Sequence, residues 1–349
     1  MYNNKLHNMK RQFFLTAIFF IAFVSYVFAD GNTFRKNYSF SMMDFPGRII
    51  QNSSGEYVFC GYNAGGIPFL SGHVTKIDAH GNVIWAKRIG GLSLATTLYD
   101  VIEVSASLGG GYLVAGETDP GAILVRLNED GDILWSTKYE LPDHTSGSST
   151  EWFNKVIETS DGEFLACGGV SHYWDNIAAA PMDSVLPFAI KIDAATGNNI
   201  WDEVFDIVVA NDDEHQFYNV TETADGYIFV GSTSQGSGTL DEDGDYPRDG
   251  LIIKTDFDGN SMYCKIFGDA DKSEVIEDII TLSTGEALMT GYCGDYGFIV
   301  RINGTGATPT IAFGNKYNNQ YQYMPPVPLY ADEPITFSEV FEMSDGNYA

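Results

Sequence analysis

Basic residues are scarce in this chain. Lys and Arg number 19 against 47 Asp and Glu, a formal net charge of −28 over 349 residues. A surface this acidic repels nucleic acid and anionic membranes, so neither is an expected partner. The common enzyme signatures are also missing: the chain has no GxSxG elbow, no HExxH pair, no Walker loop and no CxxC. Serine-elbow hydrolases, zinc proteases, P-loop nucleotide hydrolases and dithiol redox proteins are thereby disfavoured. After residue 30 there is no apolar run long enough to span a bilayer, so no membrane insertion is expected of the mature chain. Cysteines number only four. Cys60 and Cys167 share one strand slot with Ala115, Val230 and Thr290, which reads as a small buried position. Cys264 and Cys293 would pair only if their Cα atoms came within about 7 Å.

The first 29 residues stand apart. Lys5, Lys10 and Arg11 precede an apolar run from Phe13 to Ala29, with Val27 and Ala29 as small residues ahead of Asp30. That layout is a signal peptide at 1–29, which implies export to the cell surface or medium. An uncleaved anchor is the alternative, because the run approaches spanning length. Cleavage removes three basic residues and no acidic ones, leaving the mature chain more acidic still.

From residue 30 the chain is one repeat domain. An apolar strand ends on glycine at Gly61, Gly116, Gly168, Gly231 and Gly291, and a tight turn carries glycine at Gly81, Gly131, Gly197, Gly259 and Gly306. Each unit holds four short strands, A to D, with Gly-bearing A–B turns such as Gly55, Gly162, Gly226 and Gly285 that suit hairpins. Repeats of this length predict an all-β fold, a β-propeller of four-stranded antiparallel blades. The expected units are about 42–90, 91–140, 148–206, 211–268 and 271–318, five complete blades. Strand D carries one large ring per unit, Trp85, Trp135, Trp201 and Tyr263, with Thr310 the exception. A ring at a fixed place suits packing of one blade on the next. A strand D without its A, B and C is expected at 33–41, with Phe34 in the aromatic slot, and a strand A with its turn at 335–349. Together they read as a split or partial sixth blade, with further blades or domains expected beyond Ala349.

Lys191 to Trp201, KIDAATGNNIW, resembles the Asp-x-x-Thr-Gly-x-x-x-Trp hairpin of pyrroloquinoline-quinone-type propeller repeats. The wider series, DGEFLACGG with AIKIDAATGNNIW and DGYIFVGST with DGLIIKTDFDGN, is similar to tandem propeller repeats of exported and surface proteins of Bacteroidetes-like bacteria. The resemblance implies a propeller over about residues 33–349. Only the unit with Thr196 and Gly197 has the full Thr-Gly-Trp form, and the adjacent cysteines of the quinone enzymes are absent. No cofactor is therefore expected from it, since fold does not fix activity.

In such a blade the A–B and C–D turns share one end, while B–C loops and blade-to-blade connections share the other. The second set is long and varied, which makes it the expected binding face. Its candidate ligand-binding residues are His172, Tyr173, Trp174 and Asp175 in the third unit, Tyr246 in the fourth, and Tyr321 and Tyr323 in a late connection. Aromatic platforms beside carboxylates suit a glycan, a peptide or a protein surface. Asp241, Asp243, Asp245 and Asp249 occupy positions 1, 3, 5 and 9 of a calcium-loop pattern, but Tyr246 and Ile252 replace the Gly and Glu it needs; calcium is the one ion suggested. His144, His172 and His215 are all expected on the loop face, where they would have to converge to form a site. These features favour a non-catalytic binding or scaffold module. The alternative is a propeller enzyme acting on a polysaccharide or an alcohol, which should gather carboxylates at one mouth of the channel.

Overall fold

The computed structural model describes residues 35–39, 43–64, 70–90, 95–140, 150–172, 184–205, 207, 214–234, 247–268, 272–294, 296–309, 311–317, 339–340 and 342. Among these described residues, twenty strands form five separate four-stranded antiparallel sheets, each in chain order. Blade 1 holds β1 (Met43–Gln51), β2 (Tyr57–Ala64), β3 (Leu70–Ile77) and β4 (Val83–Ile89). Blade 2 holds β5 (Thr96–Glu103), β6 (Tyr112–Thr118), β7 (Ala122–Leu127) and β8 (Ile133–Tyr139). Blade 3 is β9 (Thr150–Glu158), β10 (Phe164–His172), β11 (Ser184–Ile192) and β12 (Asn199–Val204). Blade 4 is β13 (His215–Thr223), β14 (Gly226–Ser234), β15 (Arg248–Thr255) and β16 (Ser261–Phe267). Blade 5 is β17 (Glu274–Thr281), β18 (Ala287–Cys293), β19 (Tyr296–Ile302) and β20 (Ile311–Tyr317). The fold is the expected β-propeller, five blades and part of another.

The first strands of successive blades contact one another, β1 with β5, β5 with β9, β9 with β13 and β13 with β17. They are therefore innermost, around the axis. Middle strands such as β7 are buried on both faces, whereas β8 alternates exposed and half-buried residues at the rim. Blades interleave into shared cores: Leu113, Ala115 and Leu124 of blade 2 pack on Phe153, Val156 and Phe164 of blade 3. Each large apolar side chain fully buried there contributes about 1.5–3 kcal/mol.

The two glycine series have separate physical causes. Every innermost strand carries a β-bulge at one place, around Gly47 and Arg48, Tyr99, Asn154, Tyr218 and Glu277. The bulge drives a carbonyl toward strand B, so a β-carbon on Gly231 would lie 1.9 Å from the oxygen of Gln216, and one on Gly116 would lie 2.0 Å from that of Thr97. No side chain fits. The turn glycines adopt positive φ, and three of them receive the preceding blade's ring: Gly131 (φ 75°) lies under Trp85, Gly197 under Trp135 and Gly259 under Trp201, whereas a β-carbon on Gly306 would meet no atom within 4 Å. The indoles also donate across the interface, Trp85 to the Glu129 carbonyl at 3.0 Å and Trp201 to that of Phe257 at 3.1 Å. Thr196 turns inward on its own hairpin, bonding Asp193 at 2.6 Å. The Thr-Gly-Trp residues thus make hairpin and blade-packing contacts.

The shared strand slot is buried, as expected, at Cys60, Ala115, Cys167, Val230 and Thr290. All four cysteines are free thiols; Cys264 is exposed, while Cys293 is buried with its Sγ 2.8 Å from Glu274.

The described residues nearest the two ends, 35–39 and 339–342 without 341, lie against blade 1 and blade 5 respectively. Val340 packs on Leu282 and Leu288 of blade 5, and Ser283 bonds Glu342 as Ser160 bonds Glu222 between blades 3 and 4. That is the placement of a strand A. Tyr38 donates to the Gly81 carbonyl at 2.7 Å, as Tyr139 of blade 2 does to Gly197 of blade 3 at 2.8 Å. Residues 35–39 thus take the contacts of a strand D toward blade 1, although no strand is formed over them among the described residues.

Candidate functional site at the channel mouth

A β-bulge re-aims the side chain at the extra position. Here five bulges at equivalent places re-aim five side chains toward the axis, and the result is a cavity of about 220 Å³ lined by Tyr99, Asp100, Asn154, Lys155, Tyr218 and Glu277. Arg48, Asn219 and Glu339 complete the wall, with the Gly47 backbone. The bulges lie near the middle of the innermost strands, so the cavity sits on the axis of the ring.

Much of the wall is cross-linked between blades. Asp100, 1% exposed, accepts the Val156 amide of blade 3 at 2.9 Å. It also faces two cations, Arg48 Nε at 3.4 Å and Lys155 Nζ at 3.7 Å. Asn154 donates to the Phe217 carbonyl at 2.7 Å. Asp278, next to the cavity, takes hydrogen bonds from Asn219 and, at 2.7 Å, from the Val340 amide. Burial raises the Asp278 carboxyl above its ordinary range despite that amide.

Glu277 differs from its neighbours. Its carboxyl faces the cavity, burial raises its pKa with Arg248 opposing, and no described residue donates a hydrogen bond to it. Around it stand Tyr218, whose hydroxyl meets Ser232 at 3.2 Å and Arg248 Nη1 at 3.3 Å, and Tyr292. Burial raises both phenols first of all, with Glu277 adding to the effect. On blade 2 the Tyr99 hydroxyl donates to Glu117 at 2.8 Å, and burial and that carboxylate push its pKa up.

The loop candidates fall elsewhere. Tyr173, Trp174, Asp175, Tyr246, Tyr321 and Tyr323 lie outside the described residues, as do Asp241, Asp243 and Asp245. His172 is the last residue of β10, its side chain outside the description. Asp249 lies in β15 opposite Thr233, 8% exposed, and not in a loop. His215 also departs from expectation: it is the buried first residue of β13, its Nδ1 against Thr233 Oγ1, because strand pairing begins earlier than the polar run before it suggests. His144 lies outside the described residues. Among the described residues no three His, Cys, Asp or Glu are placed to hold a metal ion.

The cavity residues were absent from the sequence expectations. Their signal is a polar pair just before the apolar anchor of strand A, as in Tyr99-Asp100, Asn154-Lys155, Tyr218-Asn219 and Glu277-Asp278. A second missed series lies at the end of strand C. Lys76, Lys191 and Lys254 are buried there and pin turns, Lys254 bonding Thr223 at 2.8 Å, Asp225 at 2.6 Å and the Gly304 carbonyl of the next blade at 2.8 Å.

No family model matches the chain. No curated protein matches it either. Solved structures of low identity do. A crystal structure of puromycin hydrolase aligns with TM-score 0.46 and 9% identity, over 76% of this chain and 38% of that one. A bifunctional GH43-CE protein of Bacteroides eggerthii gives 0.38 and 7%, over 77% and 34%. An endo-1,4-beta-xylanase from Bacteroides thetaiotaomicron gives 0.38 and 9%, over 76% and 93%. The chain thus spans little more than a third of the first two proteins.

Proposed function

We propose that this chain is a non-catalytic binding module of an exported or cell-surface bacterial protein, and that its ligand enters the channel mouth on the face of the B–C loops. The observation that carries the reading is the repeated bulge, which turns a side chain from each of five blades into one polar cavity. A purely structural axis would favour apolar filling, because buried polar groups cost free energy unless they are bonded. Export rests on the layout of residues 1–29 and the acidic composition.

The test is a screen of the full chain against glycans and peptides, followed by titration of each hit against Glu277→Gln and Trp174→Ala. Weakening by the channel substitution and not by the loop substitution supports this seat. Weakening by Trp174→Ala alone would return the site to the loops.

One observation favours a second reading, a glycan-cleaving enzyme. Glu277, with its raised pKa, shares the cavity with Asp100, which is held between two cations. Two carboxyls in contrasting environments suit acid and base roles in glycoside hydrolysis. Release of reducing sugar from a bound oligosaccharide, abolished by Glu277→Gln, would establish that reading over the first.

A further inference from the structure

We infer that the channel mouth takes one neutral, polyhydroxylated ring, a single sugar unit, seated between Lys155 and Asp100 on one side and Glu277 on the other. This rests on the binding reading above and names its ligand class.

The charges of the wall argue for a neutral occupant. Arg48 is engaged by Asp100 and Glu339, and Lys155 faces Asp100. An anionic ligand would have to approach through the field of a chain carrying −28 and take Arg48 or Lys155 from these carboxylates. A cation would compete with the same two side chains for Asp100. Breaking one member out of a buried ion pair leaves an uncompensated charge, which is costly.

Hydrogen-bonding capacity, in contrast, is left over. Asp100 Oδ1 is buried and has no hydrogen-bond partner, its nearest cation being the Arg48 Nε at 3.4 Å. The Lys155 ammonium carries three donors and meets its carboxylate only at 3.7 Å. Glu277 accepts no hydrogen bond from the described residues. Carboxyl groups and cations therefore both face the cavity with hydrogen-bonding capacity to spare. A hydroxyl both donates and accepts, so vicinal hydroxyls can satisfy neighbouring groups of both kinds without disturbing charge balance. Tyr99 and Tyr218 add ring surface for the apolar faces of such a molecule. The cavity of about 220 Å³ is far above the ~10–15 Å³ that holds one water, so a ring-sized molecule has room there.

The probes are methyl glycosides of glucose, galactose, mannose and xylose, with glucuronate, glucosamine and a neutral dipeptide as contrasts. Binding to the full chain is read by saturation-transfer NMR and calorimetry. At least one neutral glycoside is expected to bind at one site, with affinity reduced about tenfold or more in Glu277→Gln, the loss expected for a hydrogen bond to a charged group. Glu277→Gln removes no internal hydrogen bond, so folding is retained; Lys155→Gln is the second variant and should weaken the same ligand. Binding of only charged probes or only the dipeptide would overturn the sugar assignment while leaving a binding module. So would binding of no neutral glycoside at all, or affinity unchanged in both variants. Hydrolysis of a bound glycoside would keep the sugar seat and remove the non-catalytic reading.

Discussion

Arg48 Nη1 and Glu339 Oε1 lie 3.2 Å apart, which joins the first blade to the segment that follows the fifth. On that segment's other side the Val340 amide bonds Asp278 of blade 5. The ring of innermost strands is thereby bridged across the gap, and both bridges stand at the cavity wall. Closure and the candidate site are made from the same residues.

The two bridges should differ in strength. Arg48 and Glu339 are 31% and 59% exposed, so a double-mutant cycle with Arg48→Gln and Glu339→Gln should give a coupling of about 0.5 kcal/mol that shrinks in high salt. Asp278→Ala leaves the Val340 and Asn219 donors without their acceptor inside the protein and should cost roughly 2–4 kcal/mol in chemical denaturation. Equal small effects from both would mean that this segment does not close the ring.

Lys254 is 1% exposed and holds three oxygens on two blades. Lys254→Ala should destabilise by about 3 kcal/mol or more, since it strips a buried cation from its partners. Asp225→Asn should cost a similar amount, because it leaves the buried ammonium without its counter-charge. Calorimetric unfolding of both variants measures the two costs.

Gly231→Ala places a methyl within 1.9 Å of the Gln216 carbonyl. The strand must flatten its bulge or part from its neighbour, at about 1–3 kcal/mol. Because that bulge aims Tyr218 into the cavity, binding should fall along with stability. Gly285→Ala, where no atom lies within 4 Å but φ is 84°, should lower stability and spare binding.

Glu277 sets the sign of a pH effect. Its carboxyl is raised above its ordinary value near 4.5 by burial, so the folded state favours the protonated form. Its contribution to stability is full below that value and is lost as pH rises through the folded-state pKa. Glu277→Gln removes this loss, so its stability relative to the native chain should improve from pH 4 to pH 7. A relative decline over the same range, followed by denaturant titration at each pH, would contradict the burial account.

The fold was legible because glycine and tryptophan report contacts that nothing else can make. Gly231 must be bare where a carbonyl intrudes, and Trp85 must find the turn at Gly131. The first constraint recurs in all five blades and the second in three, so they appear as a repeat. The cavity was harder to see, since its residues are not constant from blade to blade: Tyr99 and Tyr218 share their position with Asn154 and Glu277. Only the bulge unites them, and a bulge is a property of pairing, not of residue type. His215 shows the converse error, because its polar neighbours read as a loop while its backbone is already in a strand.

The most direct test fills the cavity. Asn154 occupies the bulge position that Tyr99 and Tyr218 hold in blades 2 and 4, so Asn154→Tyr is a substitution the repeat itself accommodates. Calorimetric titration of the best neutral glycoside into native and Asn154→Tyr protein should show at least a tenfold loss of affinity with little change in melting temperature. Undiminished affinity in a protein shown to be folded would place the ligand outside the channel mouth and contradict the account.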